Sequence, residues 1–352
     1  MIRHLLASVA LFLTAFAALA APTVTSITPN SGPLAGGTLI TIHGSGFTMC
    51  TTCNPPVAPI VYFGTTPGTN LQVVDANTIT VVAPRHLPGS VDLFLTASGG
   101  STAVSNGYTY VGNISDTFET ILLPIFAPQT HGAFGSLWDT QVLVGTTGDQ
   151  SAQLYANNVE PMCGILFDPP PIIPESITIA PNSTMQLFPN CSFWPARLYF
   201  VPKEQSSFVT FNERVRDLSR AAESHGTEIP VVRSSRMRSG RITLLGVPID
   251  NKFRNTLRVY GYTAMTVRVS IGDQEHDVVL QAGPTIAHPS YAQFSDFPIP
   301  VEPGSPGTLR VTIDPPSGPV GPSPIVPGPP IWAFITVTNN ETQQITTITP
   351  DF

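Results

Sequence analysis

Charge is scarce in this chain: 16 Lys and Arg and 23 Asp and Glu make up only 11% of its 352 residues. Cysteine is scarcer still, with four in all, and beyond the first twenty residues no apolar run approaches the length of a membrane span. Local signatures of common chemistries are also missing. There is no HExxH, no GxSxG, no EF-hand loop and no Walker motif. These absences leave the usual metalloprotease, esterase, calcium-loop and nucleotide-hydrolase classes without their sequence marks. No cofactor and no metal site is therefore expected. What the chain has instead is 37 Pro, 28 Gly and 42% hydrophobic residues. That mixture suits many short strands joined by Pro and Gly turns, so an all-β fold is expected and long helices are not.

The first twenty residues read separately. Arg3 and His4 give a short basic start, Leu5 to Ala17 is nearly continuous apolar chain, and Ala18-Leu19-Ala20 is a small-x-small cleavage pattern. Residues 1–20 are predicted to be a signal peptide cut after Ala20. No Cys follows the apolar run in lipobox fashion, and Thr346 to Phe352 carries no hydrophobic tail. The expectation is a secreted, extracellular or periplasmic protein with no transmembrane anchor.

In an oxidising compartment the four cysteines are expected to form disulfides. Cys50 and Cys53 are close enough to close their own loop, which leaves Cys163 to pair with Cys191. Cys50-Thr-Thr-Cys53 also reads as half a zinc site or a redox motif. The other two cysteines lack metal-ligand spacing, however, and no thioredoxin-like βαβ pattern surrounds the first pair.

From Ala21 the chain alternates apolar strands with turn residues. Val24 to Thr28, Thr38 to Ile42, Ile60 to Gly64, Thr78 to Pro84, Val91 to Leu95 and Tyr108 to Tyr110 read as strands. Between them lie Pro29-Asn30-Ser31-Gly32-Pro33 and Gly44-Ser45-Gly46, dense in turn chemistry. The ordered motifs Pro29-x-x-Gly32-x-x-x-Gly36-Gly37-Thr38, Ile42-x-Gly44-x-Gly46-Phe47, Val61-x-Phe63-Gly64 and Val82-x-Ala-Pro84 resemble the IPT/TIG family over residues 22–111. The resemblance implies an immunoglobulin-like β-sandwich. Such modules occur in exported bacterial adhesins, beside polysaccharide-acting enzymes, and in some receptors and transcription factors. It implies no active site.

Beyond the linker at Gly112 to Asp116 a degenerate repeat is visible. Trp138-Asp139-Thr140-Gln141-Val142-Leu143-Val144 aligns without gaps on Phe253-Arg254-Asn255-Thr256-Leu257-Arg258-Val259. Each copy follows an apolar-Pro-apolar element, read as Leu123-Pro124-Ile125 and Ile229-Pro230-Val231. The expected organisation is thus tandem immunoglobulin-like β-sandwiches after the signal peptide: 21–111, 112–222, and 223–352 with a Pro-rich loop at 315–330. One interleaved domain over 112–352 is the alternative. This region also resembles, diffusely, the C-terminal β-sandwich regions of uncharacterised exported bacterial proteins, through the Trp138 strand, Ile229-Pro230-Val231, Phe253 to Thr256 and Trp332 to Asn340. Phe211, Val215, Leu218 and Ala222 recur at helical spacing, but Phe208 to Phe211 and Arg214 to Arg216 fit a strand, and a strand followed by a loose turn is the reading adopted.

Charge is uneven along the chain. Residues 203–268 hold twelve bases and six acids, a balance of 12 − 6 = +6 inside a protein of net −7. Within that window Arg233, Arg236, Arg238 and Arg241 are a candidate anionic-ligand patch, with pairing to the protein's own acidic flanks as the competing role. Nucleic acid is not an expected partner, since the arginines have no interleaved aromatics. Gly272-Asp273-Gln274-Glu275-His276-Asp277 is the densest polar run and reads as a solvated hairpin turn. The function expected is that of a non-catalytic extracellular binding or structural protein contacting a polysaccharide, cell-surface component or protein. A secreted hydrolase with an accessory IPT/TIG module is the alternative.

Overall fold

The computed structural model describes residues 21–49, 58–127, 129–156, 176–187, 195–220, 225–295, 307–316 and 328–350. Residues 1–20, all four cysteines and most of the Pro-rich stretch 315–330 fall outside them. The expectations about cleavage and disulfide pairing therefore lie outside the described residues. The chain divides between Gly112 and Asn113 into two compact units.

The first unit is a β-sandwich. One sheet runs β1 (Thr23–Thr28), β3 (Leu39–Ser45), β7 (Thr78–Val82), β6 (Thr69–Asp75). The other runs β2 (Ser31–Pro33), β9 (Gly100–Val111), β8 (Gly89–Ala97), β4 (Ile60–Phe63), β5 (Thr66–Pro67). Alternation explains the packing: Ile40, Ile42, Ile79 and Val81 from one sheet and Val61, Phe63, Leu93 and Leu95 from the other are buried. Tyr108 meets Phe63 edge to face at 5.2 Å. Residues 22–111 expressed alone are expected to give a β-type circular dichroism spectrum and a cooperative melt; a helical or unfolded spectrum would refute this.

The second unit contains two further sandwiches. In the first, one sheet runs β14 (Ser176–Ile179), β13 (Ala152–Tyr155), β16 (Arg197–Pro202), β10 (Phe118–Leu123), β19 (Val232–Arg233). Its partner runs β11 (Thr130–His131), β12 (Leu137–Thr146), β17 (Val209–Asp217), β18 (Thr227–Ile229), with β15 (Thr184–Leu187) also on β12. In the next, the sheets run β20 (Ile242–Pro248), β25 (Thr308–Asp314), β22 (Met265–Ile271), β23 (Gln274–Leu280) and β24 (Ser290–Ser295), β21 (Phe253–Gly261), β26 (Ile331–Asn339), β27 (Ile345–Ile348).

These two sandwiches have the same topology. The order β14-β13-β16-β10 is matched by β23-β22-β25-β20, and β15-β12-β17-β18 by β24-β21-β26-β27, each taken in the same chain sequence. Trp138 to Val144 and Phe253 to Val259 occupy equivalent strands, and their burial agrees position by position. Each sandwich has its own apolar core, one including Val142, Leu154 and Val201 and the other Leu257, Val269 and Ile335.

Two details of the sequence reading change. β18 and β19 lie beyond residue 222 yet pair with β17 and β10, so the sheets of the middle sandwich extend to Arg233 rather than stopping at 222. By position, the counterpart of Leu123-Pro124-Ile125 at the end of β10 is Val247-Pro248-Ile249 at the end of β20. Ile229-Pro230-Val231 joins β18 to β19 inside the middle sandwich. The segment after Phe208 is the strand expected of it. Gly272-Asp273 is a hairpin turn between β22 and β23, with Ile271 opposite Gln274 and Gly272 at φ 58°.

Hydrogen bonds tie the two sandwiches of this unit. Tyr260 Oη donates to Pro124 O at 2.5 Å, Leu198 N to Ala287 O at 2.7 Å, and Thr227 Oγ1 to Ile345 O at 2.6 Å.

Candidate functional site

The last of those bonds closes one side of a cleft of about 230 Å³ in the second unit. Its walls come from the start of β12 (Trp138), the end of β17 (Val215 to Asp217), Arg220, the start of β18, and the turn between β26 and β27 (Thr342 to Gln344). The repeat explains why these meet. Asp217 lies opposite Trp138 in one sandwich as Asn339 lies opposite Phe253 in the other, so the same corner of each sandwich contributes to the cleft.

Local chemistry fixes each wall. Asp217 Oδ1 accepts from Leu137 N at 2.8 Å, Ser219 N at 3.0 Å and Ser219 Oγ at 2.6 Å, and Oδ2 accepts from Arg220 Nη1 at 2.7 Å. Burial acts to raise this carboxyl, but the bonds from Ser219, Leu137 and Arg220 outweigh it and hold the group below the ordinary carboxylate range. It stays ionised and so keeps Arg220 in place. Arg216 lies cross-strand from Asp139 and bonds it at 3.2 Å through Nη2, while its buried Nε has no partner. Asn339 Oδ1 accepts from Glu341 N and Thr342 N, shaping the opposite turn much as Asp217 shapes its own. Gly226 sits at φ 82°, where a Cβ would stand 2.5 Å from Val215 O.

The rim extends from there. Gln343 Nε2 donates to Asn340 O at 2.7 Å, and its Oε1 accepts from Arg254 Nη2 at 2.9 Å. Arg254 also donates to Asn340 Oδ1 at 2.8 Å and lies 5.2 Å from the centre of the Phe134 ring. Phe134 is 65% exposed at φ 56°, an unusual backbone for an aromatic residue. Its loop lies close over the indole: a Cβ on Gly132 would stand 2.4 Å from Trp138 Nε1. An indole, an exposed phenyl ring, guanidinium groups, an amide and a carboxylate thus share one corner of the molecule.

The sequence-proposed arginine patch is placed differently. Arg233 bonds Glu119 at 2.5 Å, Ser206 Oγ at 2.9 Å and Val209 O at 2.6 Å. Arg241 makes a two-pronged contact with Asp314 at 2.7 and 3.0 Å. Arg238 exchanges backbone hydrogen bonds with Ile331, and Arg236 ends a single 3-10 turn. Arg233 and Arg241 are therefore engaged with the protein's own acids. Of the cleft residues, Trp138, Arg216, Arg220 and Arg254 stood in segments marked by the repeat or the basic window. Asp217 and Gln343 carried no local signal, because their roles arise from pairing across strands and between sandwiches. Among the described residues no group of three or more His, Cys, Asp or Glu side chains is arranged to hold a metal ion, and no helix is long and apolar enough to cross a membrane.

Stacked sheets with separate apolar cores define an all-β protein built of β-sandwich modules. Residues 22–111 match the IPT/TIG domain, and this part of the chain is an IPT/TIG domain of immunoglobulin-like fold. Human fibrocystin-L is 28% identical over 114 residues, which are 32% of this chain and 2% of that protein. Among solved structures, SGBP-B from a complex xyloglucan utilization locus in Bacteroides uniformis is 11% identical, with 94% of this chain and 74% of that one covered and a TM-score of 0.21. The surface glycan-binding protein PbSGBP-B from Prevotella bryantii is 9% identical, with 94% and 99% covered and a TM-score of 0.21. A Bacteroides thetaiotaomicron protein of unknown function is 17% identical, with 66% and 54% covered and a TM-score of 0.24. None of the three superposes closely enough to carry an argument about this chain.

Proposed function

We propose that this is an exported, non-catalytic binding protein whose cleft at Trp138 takes a carbohydrate. The observation that carries the reading is the composition of that cleft: an indole on one wall, and hydroxyl, amide, guanidinium and carboxylate groups of Thr342, Gln343, Arg220 and Asp217 around it. A sugar ring has an apolar C–H face and a rim of hydroxyls that both donate and accept hydrogen bonds. It needs an aromatic surface beneath and planar polar groups at its edge. Asp217 and Gln343 are held by backbone and side-chain bonds, which leaves little ordering cost on binding. The apolar, signal-like start of the sequence supports export.

A glycan-binding screen on the full chain tests this, beside a panel of glycoside hydrolase substrates. Binding to at least one oligosaccharide is expected, and Trp138→Ala should weaken it about tenfold or more, the order of a lost stacking contact. Turnover of a glycoside, or binding unchanged in the Trp138 variant, would overturn the reading.

A further inference from the structure

We infer that the site extends past the cleft: Phe134 holds a second sugar unit beside the one on Trp138, so that the ligand is a chain rather than a single sugar; this rests on the carbohydrate reading above. The cleft of about 230 Å³ suits one sugar ring, and a longer chain has to leave it across the rim. Phe134 stands on that rim.

The ring is displayed by a loop built to hold it. β11 and β12 form a hairpin in which Thr130 lies opposite Trp138 and His131 opposite Leu137, and residues 132–136 close its end. Gly132 N donates to Ser136 O at 2.9 Å, and the buried Ser136 donates to Ala133 O through N at 3.2 Å and through Oγ at 2.8 Å. These bonds fix the loop and leave Phe134 at its tip with φ 56° and ψ 31°, a region costly to an aromatic residue. Little packing repays that cost, because the residue is 65% exposed. An unfavourable backbone imposed by its surroundings, carrying a large apolar group out into water, fits a side chain displayed for a ligand.

Two connections join this ring to the cleft. Within its own loop, Gly132 lies against the indole edge, where a Cβ would stand 2.4 Å from Trp138 Nε1. Across the seam between the sandwiches, Arg254 lies 5.2 Å from the phenyl centre and donates to Gln343 Oε1 at 2.9 Å, and Gln343 lines the cleft. Arg254 also donates to Asn340 Oδ1 at 2.8 Å, so a guanidinium and two side-chain amides are fixed along the path from one ring to the other. They meet the hydroxyls of a chain whose ring faces rest on Trp138 and Phe134. Within the cleft Arg220 and Asp217 pair with each other, which calls for no charge on the ligand. Chains of β-1,4-linked glucose or xylose suit two aromatic contacts best, because their ring hydroxyls are all equatorial and leave C–H faces above and below.

Calorimetric titration of the full chain with glucose, xylose, cellotetraose and xylotetraose tests this. At least one tetrasaccharide is expected to bind about tenfold or more tightly than its monosaccharide. Phe134→Ala should lower that tetrasaccharide's affinity about threefold to tenfold, the order of one lost aromatic contact, and leave the monosaccharide unchanged. Phe134→Asn keeps the left-handed backbone without the ring and is expected to match the alanine variant, whereas Phe134→Trp should retain wild-type affinity. Trp138→Ala should weaken monosaccharide and tetrasaccharide alike. Equal affinity for the two lengths, or a tetrasaccharide indifferent to Phe134→Ala and Phe134→Asn, would overturn the second subsite while leaving a one-sugar cleft in place. A loss in Phe134→Ala shared by the monosaccharide would overturn it too, since the effect would then lie in the cleft itself. No binding of any of the four also overturns it, and together with an empty glycan screen removes the carbohydrate reading as well.

Discussion

Replacing Trp332 by alanine is expected to lower the stability of the second unit by about 3–5 kcal/mol, the usual cost of emptying a large aromatic site. β26 is buried on both faces. Ile331, Ala333 and Ile335 point into the core of their own sandwich, while Trp332 and Phe334, on the other face, are also fully buried. What covers that second face includes the middle sandwich. Tyr260 stands opposite Trp332 across the strand pair, with ring centres 6.1 Å apart, and donates to Pro124 O. Phe334 stacks on Trp332 at 5.0 Å, and Arg258 lies 5.8 Å from the Phe334 ring. Removing the indole opens a void in a layer that two sandwiches share. A loss of this size is a large part of the ~5–15 kcal/mol that holds a typical folded protein together. Urea denaturation followed by fluorescence measures it. Phe134→Ala is the control, because that ring is 65% exposed and its loss should move stability by no more than about 0.5 kcal/mol. A Trp332 variant as stable as the control would show that the layer is not a shared core.

That layer also shows which parts of the molecule a linear reading can reach. Period-two alternation sufficed for β3, β7, β8 and β12, where most of the buried residues are apolar and stand at alternate positions. It failed for β6, whose seven residues are exposed apart from half-buried Leu71, and for β2, which lies in a Pro-Gly turn run and pairs through only three positions. Burial on both faces defeats alternation too: Ile331 to Thr338 is buried throughout and reads as one apolar run. The repeat was legible because Trp138 to Val144 and Phe253 to Val259 keep their burial in register. Its flanking element was misassigned because the true counterpart, Val247-Pro248-Ile249, sits nearer in sequence to Phe253 than Leu123-Pro124-Ile125 does to Trp138. Length between strands varies with loops, whereas strand order does not. For the cleft, composition marked the basic window, but only the pairing of β12 with β17 sets Trp138 beside Asp217, with Arg220 held by that carboxylate, while Arg233 turns to Glu119.

The same strand equivalence isolates a residue whose ionisation should make stability depend on pH. Val142 lies opposite Glu213 in one sandwich as Leu257 lies opposite Ile335 in the other, so a carboxyl occupies a position that the repeat fills with isoleucine. Glu213 is fully buried; Oε1 accepts from Ile125 N at 2.8 Å and Oε2 has no partner. Burial pushes its carboxyl well above the ordinary value of 4.5, and the Ile125 N–H and the nearby charge of Arg258 only partly oppose this. In the unfolded chain the group ionises near its ordinary value, so between that pH and the raised folded one the folded state binds the extra proton. Stability is therefore full below the unfolded value and declines as pH rises through the folded one. Each unit of raised pKa is worth about 1.4 kcal/mol once the decline is complete. Glu213→Gln keeps an acceptor for Ile125 N and cannot ionise. Its amide nitrogen meets the same partnerless site as Oε2, so the variant is expected to be no more stable than wild type in acid, and to gain on it steadily as pH rises. Paired urea denaturations across roughly pH 4 to 9 test this, with the difference between the two proteins as the readout, so that other titrating groups cancel. Parallel stability profiles would mean that Glu213 is ionised in the folded protein, with Arg258 rather than burial governing its charge.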